Sequence, residues 1–123
     1  MKKILIIEDE TDLREAVQDA LTSAGYEVRT AETSEDGLKQ VLESKPDLIL
    51  LDIMTHSIHG AIFLQRLRDL PVGQNDSKVI VFTNLDNDIS RDKFSNLQIE
   101  DYLVKAEMSL DNLVNKVSET IGN

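Results

Sequence analysis

The chain reads as an α/β domain: a doubly wound, five-stranded parallel sheet with helices on both faces. Two observations predict it. Apolar runs of strand length alternate with stretches whose apolar residues recur at helical spacing, an order of elements that builds parallel sheets. The run Ile4-Leu5-Ile6-Ile7 is apolar throughout, as a strand covered on both faces is.

The elements follow in order. Strand one is Lys3–Ile7, placed in the interior of the sheet. A helix carries Leu13, Ala16, Val17, Ala20, Leu21 and Ala24 on one stripe, and Gly25 is its natural C-terminal cap. Residues 26–31 form a short strand with weaker alternation, Val28 being its clearest inward residue. Ser34 suits an N-cap for a helix carrying Leu38, Val41 and Leu42, and Pro46 stops that helix. Strand three is Leu48–Leu51. Ile62, Phe63, Leu64 and Leu67 belong to a third helix ending near Pro71, and Gly73 to Ser77 is a loop. Strand four is 78–82 and strand five 102–104. Between them, Leu85, Ile89, Phe94 and Leu97 keep a rough helical spacing among many Asn, Asp and Ser residues, which predicts a short or irregular helix. A final helix carries Leu110, Leu113, Val114, Val117 and Ile121, capped by Ser109.

Composition bounds the function. The 123 residues fit one domain, taken as 1–123. With 13 basic and 23 acidic residues the formal net charge is −10, which argues against unspecific binding to nucleic acid or anionic membrane. There is no cysteine, hence no disulfide, thiolate metal site or cysteine nucleophile. No apolar stretch spans a bilayer and no signal-peptide pattern opens the chain, so a cytoplasmic protein is expected.

The chemistry gathers past the strand ends, where doubly wound sheets bind ligands. Strand one is followed by Glu8-Asp9-Glu10, strand three by Asp52, strand four by Thr83 and Asn84, strand five by Lys105. Carboxylates brought together repel unless a cation or proton intervenes. Glu8, Asp9 and Asp52 thus make a candidate site for a hard divalent cation. Asp52 is a candidate nucleophile toward phosphorus. Lys105 would neutralise charge on transferred oxygens, and the Thr83 hydroxyl would hydrogen-bond one of them.

In these pieces the chain resembles the receiver domain of two-component response regulators, in its single-domain, chemotaxis-regulator-like form. The matching residues are Glu8-Asp9-Glu10, Leu50-Leu51-Asp52 with Gly60 eight residues on, Thr83 after Val79-Ile80-Val81-Phe82, and Tyr102-Leu103-Val104-Lys105. The resemblance implies the flavodoxin-like strand order 2-1-3-4-5. It implies that Asp52 takes a phosphoryl group from a histidine kinase, a phosphotransfer protein or a small donor, becoming 4-aspartylphosphate. Mg²⁺ would be held by Asp9, Asp52 and the Met54 backbone carbonyl, with Glu8 acting mainly through water. Lys105 would pair with Asp52 and then with the phosphoryl oxygens. Thr83 would move toward the phosphoryl group, and Tyr102 would change rotamer with it. The face around strand five would then contact an unidentified downstream protein, with the chain a monomer or weak dimer and not a dedicated enzyme, apart from autodephosphorylation.

Five residues depart from the family pattern. His56 and Ala106 stand where prolines are usual, four residues after the phosphoacceptor and directly after the lysine. The bond before the second proline is commonly cis. Before Ala106 a cis bond would cost roughly 3 kcal/mol, so that loop is expected to be rebuilt. Asn84 replaces a small residue and is expected to narrow access to Asp52. Gln98-Ile99 replaces a usual Gly-Ala before strand five, unsettling the helix there.

Other readings compete. Glu8, Asp9 and Glu10 suit the positive end of a helix dipole without any metal. His56 and His59 are read as solvent-exposed rather than as a metal pair. A degenerate receiver that binds partners without phosphorylation is the main alternative. An FMN binder wants a hydroxyl- and glycine-rich loop after strand one, where this chain has three acids. A haloacid-type phosphatase wants Asp-x-Asp there, which Glu8-Asp9-Glu10-Thr11 does not supply.

Overall fold

The computed structural model describes residues 1–53, 60–71, 73, 76–84 and 98–122. Its elements are β1 (Lys3–Ile7), α1 (Thr11–Ser23), β2 (Glu27–Ala31), α2 (Ser34–Ser44), β3 (Leu48–Leu51), α3 (Gly60–Arg68), β4 (Lys78–Thr83), β5 (Asp101–Val104) and α4 (Leu110–Ile121). All five strands pair in parallel, in the order β2-β1-β3-β4-β5. The expected sheet and strand order are observed. The predicted irregular helix around Leu85, Ile89, Phe94 and Leu97 lies outside the described residues, as do Met54, His56 and His59.

Strand pleating divides the core in two. Leu5, Ile7, Ile49, Leu51, Val79, Val81, Tyr102 and Val104 face one side and meet Val41 of α2 and Phe63, Leu64 and Leu67 of α3. Ile4, Ile6, Leu48, Leu50, Ile80, Phe82 and Leu103 face the other and meet Val17 and Leu21 of α1 and Leu113 and Val117 of α4. Among the described residues the buried side chains are mostly apolar, and the buried polar ones are Glu8, Arg14, Ser34, Ser44, Asp52, Ser77 and Thr83.

The helix ends follow local chemistry. At the end of α1, Gly25 takes φ +101°. The Gly25 N–H donates to the Thr22 carbonyl and the Tyr26 N–H to the Leu21 carbonyl, a Schellman cap with Tyr26 packed beside Leu21 in the same core. Ser109 caps α4 as expected, its hydroxyl accepting from the Asn112 N–H at 3.1 Å. The N-cap of α2 is Thr33 rather than Ser34: the Thr33 hydroxyl accepts from the Asp36 N–H at 3.1 Å, and Ser34 is buried as the first helical residue. Either residue can cap, and the one bearing extended backbone angles does so (φ −129°, ψ 158° at Thr33). Gly37 lets α2 lie against β1, since a Cβ there would stand 2.4 Å from Ile7 Cδ1 and 2.9 Å from its Cγ1.

Three residues assigned to apolar stripes are half-exposed: Leu42, Ile62 and Leu110. Leu42 and Ile62 lie next to the buried Val41 and Phe63, and Leu110 one turn before the buried Leu113, because a helix packed on a sheet covers a narrower arc than its run of apolar residues.

Candidate functional site

The chain leaves β1 toward β2 on one side and returns to β3 on the other. The ends of β1 and β3 therefore flank the point where the strand order reverses, the usual ligand crevice of such sheets. Register then fixes which residues meet. Ile7 pairs with Leu51, so Glu8 and Asp52 follow side by side, and the Asp52 N–H donates to the Ile7 carbonyl at 3.1 Å. Leu51 pairs with Val81 and Thr83 with Val104, which brings Thr83, Asn84 and Lys105 to the same rim. Ile6, Leu50 and Leu103 share one face of the sheet. Two residues on, Glu8, Asp52 and Lys105 continue that parity, which is why they converge.

They line an open cleft of about 250 Å³ with Asp9, Glu10, Thr83 and Asn84. Glu8, Asp52 and Thr83 are buried, at 3%, 6% and 0% exposure. Oxygens of Glu8, Asp9 and Asp52 all lie within 4.8 Å of one another. The Lys105 ammonium donates to Asp52 Oδ2 at 2.8 Å and also pairs with Glu8 Oε1. It lies 5.9 Å from the centroid of the Phe82 ring, within cation–π range. Tyr102 is buried two residues before Val104 and shares its face of the sheet, opposite the face of Leu103 and Phe82. Lys105, Ala106 and Glu107 form a 3₁₀ turn, and no described peptide bond is cis.

The electrostatics are those of an unfinished charge balance. Burial pushes the Glu8 carboxyl above its ordinary value, against hydrogen bonds from Lys105 and the Glu10 N–H. Burial alone would lower the Lys105 ammonium; its hydrogen bonds to Asp52 and Glu8 outweigh this and leave it raised. One ammonium faces three carboxyls, so a divalent cation fits both the charge and the donor type, since hard cations take carboxylate oxygens. The helix-dipole reading of the acids leaves the Lys105 bridge unexplained.

The Lys105–Glu8 pair was not foreseen, because strand parity, not sequence spacing, creates it. Arg14 was also missed. It is buried on α1 beside Val17 and Leu21, donating to the Glu8 carbonyl at 3.0 Å and to Glu32 Oε1 at 3.2 Å. Its signal in the sequence was an arginine three residues before Val17 and seven before Leu21, on the buried stripe itself.

Residues 4–118 match the response regulator receiver domain family. The chain belongs to that family. Receiver domains are phosphoryl acceptors of two-component systems and interact with histidine kinases or phosphotransfer proteins. The transcriptional regulatory protein AfsQ1 of Streptomyces coelicolor is 36% identical over 105 residues, 85% of this chain and 45% of its own length. DltR of Streptococcus agalactiae is 32% identical over 103 residues, 84% of this chain and 45% of that protein. The chain thus spans less than half the length of these curated relatives. A CheY-like receiver domain from Methanospirillum hungatei superposes with a TM-score of 0.89 at 26% identity, covering 98% of this chain and 94% of that one. No helix among the described residues of this receiver domain is long and apolar enough to cross a membrane.

Proposed function

We propose that this receiver domain switches protein–protein contacts by accepting a phosphoryl group on Asp52. The observation that carries the reading is the convergence of Glu8, Asp9 and Asp52 oxygens within 4.8 Å beside the Lys105 ammonium. An Asp52 carboxylate oxygen attacks phosphorus, the bond from phosphorus to the donor breaks, and the donor leaves with that electron pair. The product is an acyl phosphate. Glu8, Asp9 and Asp52 are the residues that would hold Mg²⁺, which supplies positive charge to the phosphoryl oxygens when bound. Lys105, paired with Asp52 and Glu8, supplies a further positive charge beside Asp52. The fully buried Thr83 at the rim is the hydroxyl that would report the modified state, with Tyr102 one strand over. Asn84 lines the mouth and limits access of water and donor.

The kinase, the downstream protein, cytoplasmic residence, a monomeric or weakly dimeric state and a single unit over 1–123 belong to the same proposal. The degenerate-receiver alternative has less support, because its distinguishing feature would be a broken acid–lysine set, and here Asp52 and Lys105 lie 2.8 Å apart.

Incubation with acetyl phosphate and Mg²⁺ should add one phosphoryl group, and peptide mapping should place it on Asp52. Asp52→Asn should abolish the labelling. Undiminished labelling of that variant would sink the assignment. Failure of the unaltered chain to bind beryllofluoride at millimolar Mg²⁺ would favour the degenerate reading.

A further inference from the structure

We propose that Arg14 is a positioning residue for the cation site, fixing the backbone from which Glu8 and Asp9 present their carboxylates. The inference rests on the cation reading of those acids given above.

The Glu8 carbonyl lies just past the last paired residue of β1. Its neighbour, the Ile7 carbonyl, is taken by the Asp52 N–H, and the Glu8 N–H donates to the Ala31 carbonyl at 3.0 Å. The Glu8 carbonyl accepts from Arg14 Nη1 at 3.0 Å in buried surroundings. A buried carbonyl left without a donor costs about 1–3 kcal/mol, so the peptide plane would turn to find another. That plane joins Glu8 to Asp9. Its rotation would swing the Asp9 side chain away from Asp52 and disturb the 3.1 Å bond from the Glu10 N–H to Glu8 Oε2. The guanidinium is held in turn: Arg14 Nη2 reaches Glu32 Oε1 at 3.2 Å, just after β2. Arg14 therefore ties together the ends of two strands that the Glu8–Ala31 bond already joins.

Core packing does not call for this residue. The buried positions of α1 are Arg14, Val17 and Leu21, and an aliphatic residue would serve the stripe at position 14. Both polar contacts of the buried guanidinium are instead at the strand-end rim. A planar fork can hold a carbonyl and a carboxylate at once, which a lysine ammonium does less well.

The test is a Mg²⁺ titration of the full chain, read by amide NMR shifts of residues 8–10. The variants are Arg14→Met, Arg14→Lys, Glu32→Gln and Val117→Ala. Val117 lies on α4 in the core cluster it shares with Val17 and Leu21 of α1, so its variant loses stability without touching the site. Loss of an outer contact of this kind weakens metal binding by about tenfold. Arg14→Met should therefore raise the Mg²⁺ dissociation constant about tenfold, with Arg14→Lys recovering part. Glu32→Gln should have a smaller effect, because the Glu32 side chain is 69% exposed. Val117→Ala should keep the unaltered affinity. Unaltered affinity in folded Arg14→Met overturns the inference and spares the cation site. An equal loss in Val117→Ala also overturns it, since general destabilisation then explains both. No saturable Mg²⁺ binding by the unaltered chain overturns the cation reading and this inference with it.

Discussion

Arg14 and Arg68 brace opposite ends of the same sheet. Arg14 sits at the carboxyl ends of the strands, divided between the Glu8 carbonyl and the Glu32 carboxylate. Arg68, in the last turn of α3, sits at the amino ends. It donates to the Ser77 carbonyl at 3.0 Å and the Gln98 carbonyl at 2.8 Å, tying together the entries to β4 and β5. Burial lowers the Arg68 guanidinium from its ordinary value, against the charges of Glu100 and Asp76. The two ends use the same device for different purposes. At the amino end it closes loops around carbonyls. At the carboxyl end it holds a backbone on which mutually repelling acids are mounted. A cavity of about 340 Å³ between Lys2, Asp47 and Lys78 belongs to the amino end and contains none of the candidate site residues.

The largest expected break in this contrast comes from Lys105→Met. Removing the ammonium leaves Glu8 and Asp52 facing each other without compensation, and strips a positive charge from the proposed phosphoryl position. Loss of one such charge stabiliser costs about a hundredfold in rate. Acetyl-phosphate labelling of Asp52, followed by intact-mass spectrometry, should slow by about that factor. A rate within twofold of the unaltered chain would show that Lys105 is only a structural tether.

Arg68→Ala tests the amino end. Two carbonyls lose a charged donor in a partly exposed setting, so about 2 kcal/mol of stability should go in urea unfolding. Mg²⁺ affinity should stay where it is. A loss of Mg²⁺ affinity here would mean that the two ends are coupled through the sheet.

Mg²⁺ sharpens the comparison from the other side. At ten times its dissociation constant, an ion that binds only the folded chain adds about 1.4 kcal/mol. Urea unfolding should show that gain in the unaltered chain and in Arg68→Ala, but not in Asp9→Asn. A gain retained in Asp9→Asn would place the cation elsewhere.

The two ends also differ in how legible they were in the sequence. The carboxyl-end acids could be read because each ends an apolar run, and strand ends of a parallel sheet share an edge. Glu8, Asp52, Thr83 and Lys105 needed only the strand order to come together. The Lys105–Glu8 pair and the Arg14 contacts needed register and side-chain parity, which no local pattern carries. The half-exposure of Leu42, Ile62 and Leu110 was hidden for a related reason. Helical spacing identifies a face but not the width of surface that the sheet will cover. The α2 cap shifted from Ser34 to Thr33 because two hydroxyl residues stand in tandem, and only backbone geometry chooses between them.

The smallest expected effect lies at Gln98, where the amino end departs from a usual glycine. Gln98 takes φ +58°, a left-handed conformation that costs a residue with a Cβ roughly 1 kcal/mol. Its carbonyl is the one Arg68 holds at 2.8 Å, and two residues on the Glu100 N–H donates to the Val79 carbonyl at 2.7 Å. The turn into β5 is therefore imposed by its partners on a residue that does not favour it. Gln98→Gly should relieve the conformational cost while giving back part of it as unfolded-chain entropy, for a net gain of about 0.5 kcal/mol. The same substitution in an Arg68→Ala background should gain less, because the turn is then free to relax without glycine. A double-mutant cycle in urea would measure the difference. Equal gains in both backgrounds would show that the sheet, and not Arg68, holds Gln98 in its left-handed conformation.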